Sequence, residues 1–280
     1  MIIDFHTHIF PSFFRKDRQR FFPEEPSFEV LYRAPKSNLA GRDAILIDMD
    51  EGQVQKSVVF GFPWENEEYF HRHNDYIIES VQKHPDRLIG FGCFSLRTPQ
   101  GRREAERCLK AGLSGVGELA FYHSHFADKD IEGLKDIMGV CAQFDVPIML
   151  HTNEPVGHHY PGKTVMPLSQ LYRLLKEYPS NKIVLAHWGG GLFFYGLMKK
   201  EVKEALKNVW FDTAASPYLY RPDVYRIAGE IVGTERILLG SDYPLLKPGR
   251  YLEEMASTNL PDRTIQKISG ENAVDLLGLL

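Results

Sequence analysis

No stretch of this 280-residue sequence is long and apolar enough to read as a membrane-crossing helix, and none is of low complexity. Integral membrane and disordered classes are therefore set aside. Cysteine is scarce. Cys93, Cys108 and Cys141 are odd in number and lack Cys-x-x-Cys spacing, which argues against both a disulfide framework and a thiolate zinc site. Charge of one sign is also missing, with 33 Lys and Arg set against 37 Asp and Glu for a net charge of −4. The basic residues are scattered rather than clustered, so a nucleic-acid partner is not expected. The opening Met1-Ile2-Ile3-Asp4-Phe5-His6 has neither the basic start nor the apolar stretch of a secretory signal. Together with the cysteine usage, this leads to an expectation of a cytoplasmic protein.

What is present is a rhythm. Short β-branched runs recur at Ile2–Phe5, Ser57–Gly61, Leu88–Phe94, Gly115–Leu119, Pro147–His151, Ile183–His187, Val209–Thr213 and Arg236–Ser241. After the first gap their starts lie 26 to 36 residues apart, the length of a strand, a helix and two loops. The intervening stretches Asn66–His84, Pro99–Ala111, Asp130–Phe144, Thr164–Tyr178, Leu192–Lys207 and Pro222–Val232 carry helical apolar spacing, and Arg263–Leu277 reads as a last helix or two. Eight such units in one chain predict a single-domain α/β fold, a (β/α)8 TIM barrel. Residues 10–40 interrupt the rhythm with prolines and seven aromatic residues. This insertion follows the first strand and is either a lid or a packed surface loop.

The chemistry gathers at the strand ends. In Asp4-Phe5-His6-Thr7-His8, alternation is expected to put both imidazoles on one face with Phe5 on the other, and Asp4 could orient one imidazole from behind. Glu118 ends the fourth strand, His151 the fifth and His187 the sixth, while Asp242 follows the eighth. Burying so many polar groups without a common partner is costly, and a divalent cation would satisfy histidines and carboxylates together. Taken singly, His187 could be a core histidine bonded to carbonyls, Glu118 a member of a buried ion pair, and Asp242 a turn or helix cap. Trp64, Tyr122, His123, His125, His158 and Trp188 are candidates to line a substrate pocket. Gly189-Gly190-Gly191 is read as a tight turn rather than an anion site.

This pattern resembles the metal-dependent amidohydrolase superfamily. The phrases Leu185-Ala186-His187-Trp188-Gly189-Gly190, Gly240-Ser241-Asp242-Tyr243-Pro244 and Glu271-Asn272-Ala273 are similar to its amidohydrolase-related branch, which includes aminocarboxymuconate-semialdehyde decarboxylase as well as hydrolases and lactonases. The resemblance implies that His6, His8, His151 and Asp242 bind metal and that His187 is either a ligand of a second ion or a catalytic histidine. Glu118 departs from the lysine or non-ligating residue common at that place, and it could bind one ion or bridge two.

The expectation drawn from this is a hydrolase acting on an amide, ester or lactone. A metal-activated water would attack, Asp242 would accept its proton and His187 would polarise the carbonyl. Zinc, one or two ions, is expected as the commonest hydrolytic metal. The rival is a non-oxidative decarboxylase of an unsaturated or aromatic carboxylate, whose substrate would need a cation from Arg15, Arg18, Arg20, Arg33 or Arg97. Repulsion between Glu118 and an anionic substrate tilts the expectation toward hydrolysis. A non-catalytic metal-binding barrel is a third possibility. The partner expected is a small molecule, with a homodimer as the assembly.

Overall fold

Eight strands form where the apolar runs recur: β1 (Ile3–His8), β2 (Lys56–Phe60), β3 (Leu88–Gly92), β4 (Gly115–Leu119), β5 (Ile148–Leu150), β6 (Ile183–Leu185), β7 (Val209–Asp212) and β8 (Ile237–Leu238). This computed structural model describes residues 1–122, 126–164 and 166–279. Each strand pairs in parallel with the next, in the order β1 to β8. The ring closes where Phe5 N donates to Leu239 O and His8 N to Tyr243 O, both at 2.7 Å, beside a parallel bridge between Thr7 and Tyr243. Helices cover the outside, so the fold is the expected (β/α)8 barrel.

The barrel interior is filled by Ile3, Phe5, Val58, Phe60, Phe91, Met149, Val184 and Leu238, all buried. Two strands break their alternation. On β1 the register shifts between Asp4 and Thr7, and on β4 between Val116 and Leu119. Each shift steps three residues past two on the neighbouring strand, as a bulge does, and re-aims the side chains beside it. The expectation that Phe5 and His6 face opposite ways therefore fails: the Phe5 ring lies 5.7 Å from Phe91 and the His6 ring 5.2 Å from Phe60, whose ring in turn neighbours Phe91.

The insertion is neither loose nor simply a surface loop. It folds into short helical turns at Ser12–Lys16, Arg18–Phe21 and Pro26–Tyr32. Phe14 stacks on Trp64 at 4.4 Å with 24° between planes, Phe28 lies 4.5 Å from the same indole, and Phe10, Phe14, Phe21 and Phe28 are all buried. Each such ring contributes roughly 1.5–3 kcal/mol on burial, which is what holds the segment over the barrel mouth. The buried Glu25 carboxylate accepts Asn66 N at 2.7 Å and Glu65 N at 3.0 Å. Asn66 in turn caps the helix Glu67–Lys83 by accepting from Glu68 N and Tyr69 N.

One expected helix is corrected. Leu192–Lys207 is not continuous: a 3-10 segment runs from His187 to Leu197, and an α-helix starts only at Lys200. Trp188 to Gly191 all have positive φ, and a Cβ at Gly190 would lie 2.3 Å from Asn153 O. The glycines serve a tight turn pressed against the β5 loop. A helix at Pro248–Ala256 is not among those expected; Pro248 occupies its first turn.

Candidate metal centre

His6, His8, Glu118, His151, His187 and Asp242 meet at the mouth of the barrel. His6 Nε2 and His8 Nε2 lie 3.3 Å apart, each is 3.5 Å from Asp242 Oδ1, and they stand 3.7 and 3.8 Å from Glu118 Oε2. Ligands about 2.1 Å from one ion in a tetrahedron are separated by roughly 3.4 Å, so these spacings suit a shared cation. The other oxygen of Glu118 faces a different pair, with His151 Nδ1 at 2.9 Å and His187 Nε2 at 3.5 Å.

The imidazoles are set as ligands by what lies behind them. His6 Nδ1 donates to Asp212 Oδ2 at 2.8 Å, His8 Nδ1 to Gly61 O at 3.0 Å and His187 Nδ1 to Ala214 O at 3.1 Å. A carboxylate and two carbonyls can only accept, so each ring keeps a proton on Nδ1 and turns Nε2 toward the cluster, the atom whose lone pair a cation would take. His151 Nε2 is buried with no partner, a polar atom awaiting one. These observations fit a divalent ion bound by histidines and carboxylates.

Electrostatics agree. Burial pushes the Glu118 carboxyl up, but His151 and His6 beside it hold it well below the usual carboxylate range. Burial likewise opposes ionisation of Asp242, and the His8 hydrogen bond with the His6 and His187 charges outweighs it. Burial lowers the His6 imidazole, yet Asp212 and Glu118 raise it to about 10; His187, similarly opposed by burial, is raised to about 9 by Glu118 and Asp242. Protons stand in for positive charge here, and cation binding is expected to release them.

Backbone turns aim the last two groups. His187 and Asp242 adopt positive φ of 54° and 60°, an uncommon geometry for side-chain-bearing residues that collects at functional sites. The Asp242 turn is held by Leu245 N on Asp242 O at 2.8 Å and Tyr243 N on Ser241 Oγ at 3.1 Å. Tyr251 ties the β7 and β8 loops together, donating to Ser241 O and accepting Ala215 N.

Asp4 does not orient an imidazole; it accepts Ser241 N at 2.9 Å and the Ser241 hydroxyl. That orienting role falls to Asp212, fully buried, whose Oδ1 also accepts His187 N and Ala214 N at 2.9 and 3.0 Å. Asp212 is the last residue of β7, so the strand-end reasoning that singled out Glu118 and His151 would have found it. Among the pocket candidates, Tyr122 sits beside His151 with ring centres 5.2 Å apart. Trp64 is buried under the insertion, and its Nε1 donates to His73. Trp188 is buried outside the barrel with its Nε1 on Ser216 Oγ, and His158 is exposed beside Tyr160. These three do not line the cluster. His123 and His125 lie outside the described residues.

A family model described as amidohydrolase matches residues 3–279. Among curated proteins, 2-amino-3-carboxymuconate-6-semialdehyde decarboxylase of Dictyostelium discoideum is 23% identical over 245 residues, covering 74% of this chain and 65% of that protein. Gamma-resorcylate decarboxylase of Polaromonas sp. is 26% identical over 254 residues, covering 74% of this chain and 76% of the relative. A crystal structure of 5-carboxyvanillate decarboxylase from Novosphingobium aromaticivorans, complexed with manganese and 4-hydroxy-3-methoxy-5-nitrobenzoic acid, superposes with a TM-score of 0.79 at 17% identity, covering 100% of this chain and 96% of that one. These relatives are decarboxylases, which overturns the expectation of a hydrolase. The strand-end residues form a cluster that could hold a metal ion and do not by themselves select the reaction, and the repulsion argument left out the histidines around Glu118. Since the match runs from the first strand to the last helix and takes in every donor of the cluster, the chain belongs to the amidohydrolase family.

Proposed function

We propose that the protein is a divalent-metal-dependent, non-oxidative decarboxylase of an aromatic or unsaturated carboxylate. The observation that carries this reading is a cation-ready cluster of His6, His8, Glu118 and Asp242 set beside a wall of aromatic rings formed by Tyr32, Phe62 and Tyr122. The names of the relatives supply the reaction. A bound ion would contribute Lewis acidity, holding substrate oxygens and offsetting their negative charge.

The chain's own residues supply the rest. Asp242 has the most open side chain of the three clustered carboxylates, 19% exposed against 3% for Glu118 and none for Asp212. It is the one placed to carry a proton to the carbon. As the bond to the carboxylate breaks, its electron pair stays on that carbon and carbon dioxide leaves; Asp242, ionised at rest, takes a proton from water and delivers it to that carbon. His187, fixed through Nδ1 and raised to about 9, carries a second proton on Nε2 when no ion takes that atom and donates it to the substrate's oxygen. His151 and His187 also converge on Glu118 Oε1 and would hold a second ion if one is present. Manganese is the first ion to load, since the 5-carboxyvanillate decarboxylase structure holds it, with zinc alongside.

The test is carbon dioxide release from 2,6-dihydroxybenzoate, 6-methylsalicylate and 5-carboxyvanillate by manganese-loaded protein, abolished by a chelator and restored by metal. Tight metal binding with no carbon dioxide from any of these would sink the reading. Elemental analysis counts the ions: one leaves His187 free, and two recruit it with His151. A homodimer is proposed as the assembly, to be checked by light scattering. A reducing, cytoplasmic location is proposed from three buried, unpaired thiols.

A further inference from the structure

The arginines that could have met a substrate carboxylate are otherwise engaged. Arg15 Nε donates to Phe10 O, Arg18 to Pro35 O and Ser37 O, and Arg20 lies against the rings of Phe13 and Phe21. Arg33 pairs with Glu29, and Arg97 faces Glu65 at 3.7 Å. Among the described residues, no lysine or arginine pairs with Glu118, Asp212 or Asp242.

Among the described residues, two hydroxyls at the mouth are left without a hydrogen-bond partner instead. Tyr32, at the end of the insertion's last helix, has its ring 4.8 Å from Phe28 and 6.0 Å from Phe62. Tyr122, after β4, lies parallel to Phe62 at 5.9 Å and against His151 at 5.2 Å. The β5 loop presses on both places, since a Cβ on Gly162 would lie 2.5 Å from the Leu31 side chain and 3.9 Å from the Tyr122 ring. Both rings are half-buried, yet among the described residues neither hydroxyl has a hydrogen-bond partner. By contrast, Tyr160, Tyr225, Tyr243 and Tyr251 donate to Glu154, Glu254, Asp48 and Ser241 O. A phenol keeps its proton at neutral pH, so each is an O–H donor.

We propose that Tyr32 and Tyr122 form a neutral clasp for the substrate's carboxylate, each donating one O–H to the anion. This rests on the decarboxylase reading and adds a reason for the missing arginine. Decarboxylation discharges the carboxylate, so a fixed cation there would hold the ground state more tightly than the transition state and slow the reaction. Neutral hydroxyls position the anion through charge-assisted hydrogen bonds yet give it up more readily.

The experiment compares each acid with the phenol it would yield: 2,6-dihydroxybenzoate with resorcinol, and 6-methylsalicylate with 3-methylphenol. Dissociation constants are taken from fluorescence quenching within seconds of mixing with manganese-loaded wild type, Tyr32→Phe, Tyr122→Phe and the double variant. Each single variant is expected to bind the acids about tenfold more weakly while the phenols change less than twofold. Phenylalanine keeps the ring packing and removes a hydroxyl that bonds to no described residue, so the melting temperature should hold. Equal losses for acid and phenol, no loss for the acids, or no binding of either acid by wild type would overturn the clasp. Selective loss without carbon dioxide release would leave the clasp standing and sink the decarboxylase reading instead.

Discussion

Replacing Asp212 by asparagine tests how the centre is built. Asp212 Oδ1 accepts two backbone amides, from His187 and Ala214, and an asparagine carbonyl there keeps both. The amide NH2 then falls where Oδ2 stood, 2.8 Å from His6 Nδ1, and two donors face each other. The imidazole escapes by moving its proton to Nε2, the atom aimed at His8, Asp242 and Glu118, and its lone pair no longer serves a cation. Residues that orient a ligand in this way are worth roughly 10- to 100-fold in metal affinity, or about 1.4–2.7 kcal/mol. Competition with a fluorescent chelator should show manganese binding weakened by that factor, while the circular dichroism spectrum stays unchanged. Wild-type affinity in Asp212→Asn would refute the idea that this carboxylate sets the His6 tautomer.

Metal removal should destabilise the fold. At a free ion concentration about 100 times its dissociation constant, binding adds roughly 2.7 kcal/mol, which for a chain of this size raises the melting temperature by about 5–10 °C, as scanning calorimetry with and without chelator will show. His73 predicts acid sensitivity: its Nε2 donates to Ile9 O, its Nδ1 accepts the Trp64 indole, and burial lowers its pKa to about 3. The unfolded chain takes up that proton first, near pH 6.5, so stability should fall as pH drops from about 6.5 toward 3, with a shallower fall in His73→Gln by urea unfolding of metal-free protein. Phe14→Ala removes the stack on Trp64 and should cost about 3–5 kcal/mol in urea midpoint analysis. Asn272→Ala strands Ile237 O and Thr234 O at the base of β8 and should cost about 1–3 kcal/mol by the same measurement.

The barrel was legible in the sequence because parallel strands joined by helices impose a spacing, and apolar runs at that spacing have few other solutions. So was much of the centre, since His6, His8, Glu118, His151, His187 and Asp242 each stand at the end of an apolar strand or just past it, where an aliphatic core residue would otherwise stand. The reaction was not legible, because the bond broken depends on what faces the metal rather than on what holds it. Alternation along a strand could not reveal the register shifts that bring Phe5 and His6 to one side and divide the two oxygens of Glu118 between separate pairs of histidines. Nor could it show Asp212 behind His6, Trp64 sealed under the insertion, or tyrosines from two distant segments flanking Phe62 beside the cluster. Those arrangements depend on closing the ring and folding residues 10–40 across it, contacts between groups far apart in the chain that local periodicity does not encode.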